Sequence, residues 1–370
     1  MAISSHTTER QTIVAEWLAP TLWALAAFSV VSHLGSILLH LPQAVAAAML
    51  SLSLLLFGLL HGASTYGRRG ILWFVVICLG VSNVSENLSI LAGFPFGWYH
   101  YGSAMGPKLF LVPIMIGPAY FGVGYLSWTL ARMILGDEDA TLFGPRVFSM
   151  PVMASFIMVS WDLTVDPMMS TITGNWVWQH GGTYFGVPLT NFLGWYLTVY
   201  VYFQIFALYL RRLRRAPAEL SGFCSQPLFA YVSIVIAPVL SLVFDRQTGI
   251  VTDPSGNAWR LGDIRSVTAL VSLFTILPFW LLALFKFRQR VSGVSQRQRY
   301  CGCGGLAQNT SIGPARVAPR CGRLGLTSPM ATFSAHTALP LPPSRTPARS
   351  LLRGPSRIRL RSIVARPRHR

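Results

Sequence analysis

Residues 147–167 read VFSMPVMASFIMVSWDLTVDP. The first eighteen, 147–164, form a continuous apolar run whose one ionisable residue is Asp162. About 20 apolar residues carry a helix across the hydrocarbon core of a bilayer. A barrel strand would alternate apolar and polar side chains instead. The run therefore reads as a membrane-crossing helix that Pro167 ends or bends.

Seven further apolar runs lie on either side of it, at about 17–39, 44–60, 71–91, 109–135, 189–210, 228–244 and 264–285. The whole chain is 52% hydrophobic and 11% charged, against about 25% charged in a soluble domain. The fold predicted is all-α: a polytopic membrane helix bundle of about eight transmembrane helices over residues 1–290. No cleavable leader is expected, because the first apolar run is too long for one.

The formal net charge of +18 suggests nucleic acid at first sight. However, 14 of the 30 basic residues lie beyond 290, where there is no acid at all, leaving 16 basic against 12 acidic residues before it, a net +4. The basic charge is thus not on the part expected to fold, and no nucleic-acid partner is expected. Residues 291–370 are rich in Arg, Pro, Ser and Gly and show no period, the composition of a disordered tail. Arg68 and Arg69, the block Arg211, Arg212, Arg214 and Arg215, and Lys286, Arg288 and Arg290 all fall on one side if both termini are cytoplasmic. The five cysteines form no C-x-x-C pair, so neither a disulfide framework nor a metal site is suggested.

Acids inside membrane spans are costly and mark candidate functional sites. Glu86 lies late in the third span, on a face shared with Ser82, Asn83, Ser89 and Gly93 at three- and four-residue spacing. A polar seam between helices is the plain alternative, although a seam needs no carboxylate. Asp162 and Asp166 are four residues apart and face one way while the helix lasts. Two carboxyls a turn apart in a low dielectric do not both ionise easily, so one keeps a proton to give. Helix-end capping and solvation are the plain alternative there. Tyr99, Trp161, Trp176, Trp178, Tyr184 and Trp195 crowd around these acids in sequence. Asn191, Trp195, Thr198 and Tyr202 form a helical stripe. A single aromatic near a membrane end is ordinarily an interfacial anchor. This density points instead to a pocket whose ring faces stabilise a cation.

No histidine box, nucleotide-binding glycine motif or G-x-S-x-G is present. Asp162 and Asp166 make a D-x-x-x-D of the kind that holds magnesium diphosphate in intramembrane prenyltransferases. Residues 147–210 contain no Lys or Arg to neutralise the phosphates.

Taken in order, Glu86, the stretch Gly93-Phe94-Pro95-Phe96-Gly97-Trp98-Tyr99-His100-Tyr101, Pro113, Trp161-Asp162 with Asp166-Pro167, Trp176-Val177-Trp178, and Tyr184 through Trp195 resemble the carotenoid biosynthesis membrane family. The resemblance covers roughly residues 10–290 and is densest from 83 to 195. It implies hydration of the terminal double bond of an acyclic carotenoid end (γ-carotene, lycopene or a C50 relative), without a cofactor. The implied partners are an apolar substrate arriving from lipid, water, and other enzymes of the pathway. On that activity, Asp162 is expected to be the acid, Asp166 its partner or the base for water, and Glu86 the cation stabiliser or alternative acid. Asn83, Tyr99, Trp161, Trp176, Trp178, Tyr184, Asn191 and Trp195 are expected to bind substrate or orient water. Three other readings stay open: an end-group cyclase, a non-catalytic carotenoid-binding protein, and a prenyltransferase.

Overall fold

The computed structural model describes residues 2–39, 41, 43–136, 144–213 and 225–303. Helix α1 spans Ala2–Leu38, α2 Gln43–Ala92, α3 Ile116–Leu135, α4 Arg146–Asp166, α5 Leu189–Leu213 and α6 Ser225–Phe244. Helix α7 (Leu261–Val271) continues through a π turn at Ser272–Ile276 into α8 (Leu277–Cys303). Six helical stretches are long and apolar enough to cross a membrane. The protein is an all-α membrane bundle, and each of the eight apolar runs contributes a helix.

The second and third runs share α2, which is not straight. Gly67 has φ 73° and ψ 165°, values outside the helix that glycine adopts freely. The chain reverses there. A Cβ on Gly62 would lie 2.3 Å from Ile71 Cδ1, whereas nine residues of straight helix would hold the two positions about 13 Å apart. The expected loop around Arg68 and Arg69 is thus a tight turn within one helical element. The run at 109–135 also differs from expectation. Helix begins only at Ile116, and residues before it form a hairpin, β2 (Lys108–Leu109) with β3 (Val112–Pro113). Pro113 has no N–H to give a helix and disfavours helical geometry in the residue before it. At the other end, α8 runs past residue 290 to Cys303. Residues 304–370, most of the expected basic tail, lie outside the described residues.

Helix α3 is the centre of the bundle. Residues Tyr120 to Ala131 are buried without a break, and a helix buried on every face has neighbours all round it. It packs on α2, α4, α6 and α8. Its second half lies at a basic end: Trp128 Nε1 and Arg132 Nη1 donate to Tyr66 Oη at 2.9 and 2.8 Å, and Arg290 Nη2 to the Met133 carbonyl at 3.3 Å.

Among the described residues, strands occur only in connections at the opposite end. β1 (Tyr99–Tyr101) pairs antiparallel with β4 (Trp176–Trp178), setting Tyr99 across from Trp178 and Tyr101 across from Trp176. This ladder ties the connection after α2 to the one after α4. A second hairpin, β5 (Ile250–Thr252) with β6 (Ala258–Arg260), covers the latter. Its Ser255 hydroxyl donates to the His180 carbonyl, and Trp259 meets Phe185 edge-on at 5.2 Å. Asp253 organises this hairpin. Its Oδ1 accepts from the Ser255 and Asn257 amides, and its Oδ2 from Asn257 Nδ2 and Trp259 Nε1, all within 2.9–3.1 Å. Desolvation pushes the carboxyl up, but the donors from Trp259, Asn257 and Ser255 outweigh it and hold the group below its ordinary value.

Candidate active site

The acids converge at the end away from Tyr66, Arg132 and Arg290. Glu86 sits near the C-terminal end of α2, Asp162 and Asp166 in the last turns of α4, and Asn191 in the first turn of α5. The C-terminal ends of α2 and α4 thus meet the N-terminal end of α5. All four side chains are buried, with 1–4% of their surface exposed. Each aspartate feels the charge of Glu86, so the three carboxyls form one cluster.

Asn191 joins the two aspartates. Its Nδ2 donates to Asp162 Oδ2 at 3.3 Å and, more closely, to Asp166 Oδ2. The four-residue spacing on α4 puts both carboxyls on one face, as expected from sequence, and the amide reaches that face from α5. Trp176 lies within polar reach of Asp166 as well.

Glu86 is held differently. Oε2 accepts from Tyr99 Oη and from Tyr101 Oη, the latter at 2.8 Å, and Oε1 accepts from Tyr120 Oη at 2.6 Å. Three phenols thus fix one carboxylate. Hydrogen bonds to a charged group contribute about 1.5–3 kcal/mol each, which offsets much of the cost of burying it. Tyr101 and Tyr120 were not among the site residues expected from sequence. The available sign was chemical: a tyrosine in an apolar run needs a partner for its hydroxyl. Tyr120 lies 34 positions from Glu86, so no local pattern links the two.

Aromatic rings wall the cluster. Tyr120 stacks on Trp195 with centroids 4.5 Å apart and planes at 4°. Trp161 meets Trp195 edge-on at 6.0 Å, and Phe96 lies 6.2 Å from Trp195. Tyr99 packs against Trp178 at 5.8 Å, and Tyr101 against Trp176 at 6.2 Å. The Trp178 indole donates to the Phe96 carbonyl at 3.1 Å. The Phe94–Gly97 turn is seated by Ser89, whose hydroxyl accepts from Phe96 N and donates to the Gly97 carbonyl, each at 2.9 Å. The turn can lie on α5 only because residue 194 is glycine: a Cβ there would stand 2.5 Å from the Pro95 carbonyl oxygen.

Two expected residues have other positions. Tyr184 packs edge-on against Phe192 at 5.4 Å, and its hydroxyl donates to the Leu163 carbonyl at 3.0 Å. Burial, with the charges of Asp166 and Asp162, pushes that phenol up to about 12 and keeps it a donor. Asn83 is bonded along its own helix: its Oδ1 accepts from Asn87 Nδ2 at 3.1 Å. Asn87 Oδ1 in turn accepts from Leu111 N at 3.0 Å. The inward stripe of α5 continues through Thr198 and Tyr202, both buried, and the Tyr202 hydroxyl meets Met158 Sδ at 2.7 Å. Among the described residues, no group of three or more His, Cys, Asp or Glu is placed to hold a metal ion.

An enclosed set of carboxyls walled by rings can give and take protons and stabilise a cation next to apolar carbon. A bisanhydrobacterioruberin hydratase from Haloarcula japonica is 29% identical over 147 residues, which cover 38% of this chain and 48% of that protein. The chain thus spans about half the length of this curated relative. No solved structure matches it. The sequence profile of carotenoid biosynthesis proteins matches residues 36–252, a stretch that carries every acid and ring of the cluster. The chain belongs to the carotenoid biosynthesis protein family.

Proposed function

We propose that this protein hydrates the terminal double bond of an acyclic carotenoid end to give a tertiary alcohol. The observation that carries the reading is the Asn191 amide bridging Asp162 and Asp166 beside Glu86, inside a wall of aromatic rings. Protonated Asp162 gives its proton to the less substituted carbon of the terminal isopropylidene. The π electrons form the new C–H bond, and the other alkene carbon becomes a tertiary cation. Glu86, fixed by its phenols, and the faces of Trp195 and Trp161 stabilise that cation. A water oriented beside the Asn191–Asp166 pair adds through oxygen and gives its extra proton to Asp166. That proton passes to Asp162 and restores the starting state. The balance is alkene plus water to alcohol, with no redox step. Both termini lie on the cytoplasmic side, where the arginine-rich end of the bundle faces, and the wholly apolar substrate arrives sideways from lipid.

The test is expression in a host that makes lycopene or γ-carotene, grown in heavy-oxygen water. A product one water heavier than substrate and carrying the label is expected. A product of unchanged mass would establish cyclisation instead, and label drawn from molecular oxygen would overturn hydration.

A further inference from the structure

The segment from Gly106 to Met115 has no part in the proposed chemistry, yet its composition is unusual for a connection. After Lys108, residues Leu109-Phe110-Leu111-Val112-Pro113-Ile114-Met115 are all apolar, whereas connecting segments are ordinarily polar. The hairpin closes tightly, with Ile114 N donating to the Pro107 carbonyl at 2.9 Å. Phe110 at its tip has φ 57°, a left-handed conformation that bulky residues rarely adopt. The effect is to turn the ring outward, 78% exposed. Leu109, Leu111, Ile114 and Met115 are exposed with it. Val112 points the other way and is buried in the cluster that holds Phe96, Tyr99, Tyr101 and Trp178.

The hairpin lies beside the bundle rather than above it. Leu111 N is bonded to Asn87, the neighbour of Glu86, about one and a half turns before α2 ends. Gly117, where α3 begins, sits against Leu79, lower still on α2. The chain therefore descends along α2 past the level of the acids. An outward apolar tip at that depth matches hydrocarbon, and its backbone N–H is satisfied by the Asn87 side chain, as a lipid setting requires. Both stems return to the site, since Tyr101 before the hairpin and Tyr120 after it each bond Glu86. Gly106 at its base has φ 78° and open space around it.

We propose that the Lys108–Pro113 hairpin is a side door to the acid cluster, through which a long apolar isoprenoid passes from the bilayer. Its tip rests among acyl chains, Val112 fills the doorway, and Asn87 is the latch. The identity of the passing chain rests on the hydratase reading; the placement of the tip does not.

Two measurements on the full chain in phosphatidylcholine vesicles test this. In the first, Phe110→Cys carries a bimane fluorophore, with Cys224, Cys301, Cys303 and Cys321 changed to Ser. Quenching by lipids brominated on the acyl chain and protection from aqueous iodide are expected. Full quenching by iodide would overturn the door. In the second, Asn87→Cys with Leu111→Cys in the same background is oxidised to join latch and tip. Turnover of bilayer-dissolved carotenoid is expected to fall at least tenfold and to return on reduction. Undiminished turnover by the locked protein, or failure of the pair to cross-link, would overturn the door while leaving hydration intact. If the unmodified protein hydrates no carotenoid, the chemistry fails, and the bimane result still decides where the tip lies.

Discussion

The two halves of the acid cluster are built on opposite terms. Glu86 receives three phenol hydroxyls, spread over both of its oxygens. Asp162 and Asp166 share a single amide nitrogen between one oxygen of each. A carboxyl wrapped in donors is held in one place, and the donors favour its charged form. Two carboxyls leaning on one amide lower their mutual repulsion by keeping a proton between them. The difference supports the proposed division, proton transfer by the aspartates and electrostatic support by the glutamate.

The comparison is broken most directly by removing the proton donor. Asp162→Asn keeps the shape of the site and is expected to lower hydration about 10³-fold, measured as pigment turnover at equal membrane insertion. Near-normal turnover would take Asp162 out of the reaction. Glu86→Gln removes charge but leaves an oxygen for the phenols, so a smaller loss is expected, about 10²-fold. If Glu86→Gln proved more damaging than Asp162→Asn, the two halves would exchange roles. Tyr120→Phe withdraws one of three donors and is expected to cost about tenfold in kcat, roughly 1.4 kcal/mol. The Trp195 stack survives in that variant, and a matching loss of thermal stability would mark the contact as structural only.

The smallest effect on turnover is expected at Asp253, outside the cluster. Asp253→Asn should leave hydration within about threefold while lowering the melting temperature by a few degrees. The sign with pH follows from the depressed carboxyl. The ionised group's contribution is present above the ordinary carboxylate range and is lost as pH falls through the lowered value. The stability gap between wild type and Asp253→Asn is therefore expected to close in strong acid. A gap that widens there would contradict the hydrogen-bonded hairpin.

Much of this was legible in the sequence, and the failures share a cause. The apolar runs announce the helices because hydropathy is a local property. Asp162 and Asp166 announce a shared face because four residues make about one turn. Tyr120 escaped notice because its hydroxyl meets Glu86 only through the packing of α3 on α2. Asn83 was singled out by its spacing from Glu86, and its bond to Asn87, one turn on, could not be read from that spacing. The Lys108–Pro113 hairpin was read as the start of a span, since seven apolar residues in a row carry no sign of a turn except Pro113. The reversal near Arg68 and Arg69 was expected from the gap between the second and third runs, but that Gly67 makes it, with φ 73°, appears only in three dimensions.

The positions of the partners also bear on how the chain is made. Glu86 finds its phenols 13, 15 and 34 residues downstream, and the aspartates meet Asn191 after 29 and 25. A nascent chain emerges amino end first, so every acid has its companion before α6 is synthesised. The ribosome thus writes every partner of the acid cluster before the last helices, and α6 to α8 are left to clad the bundle.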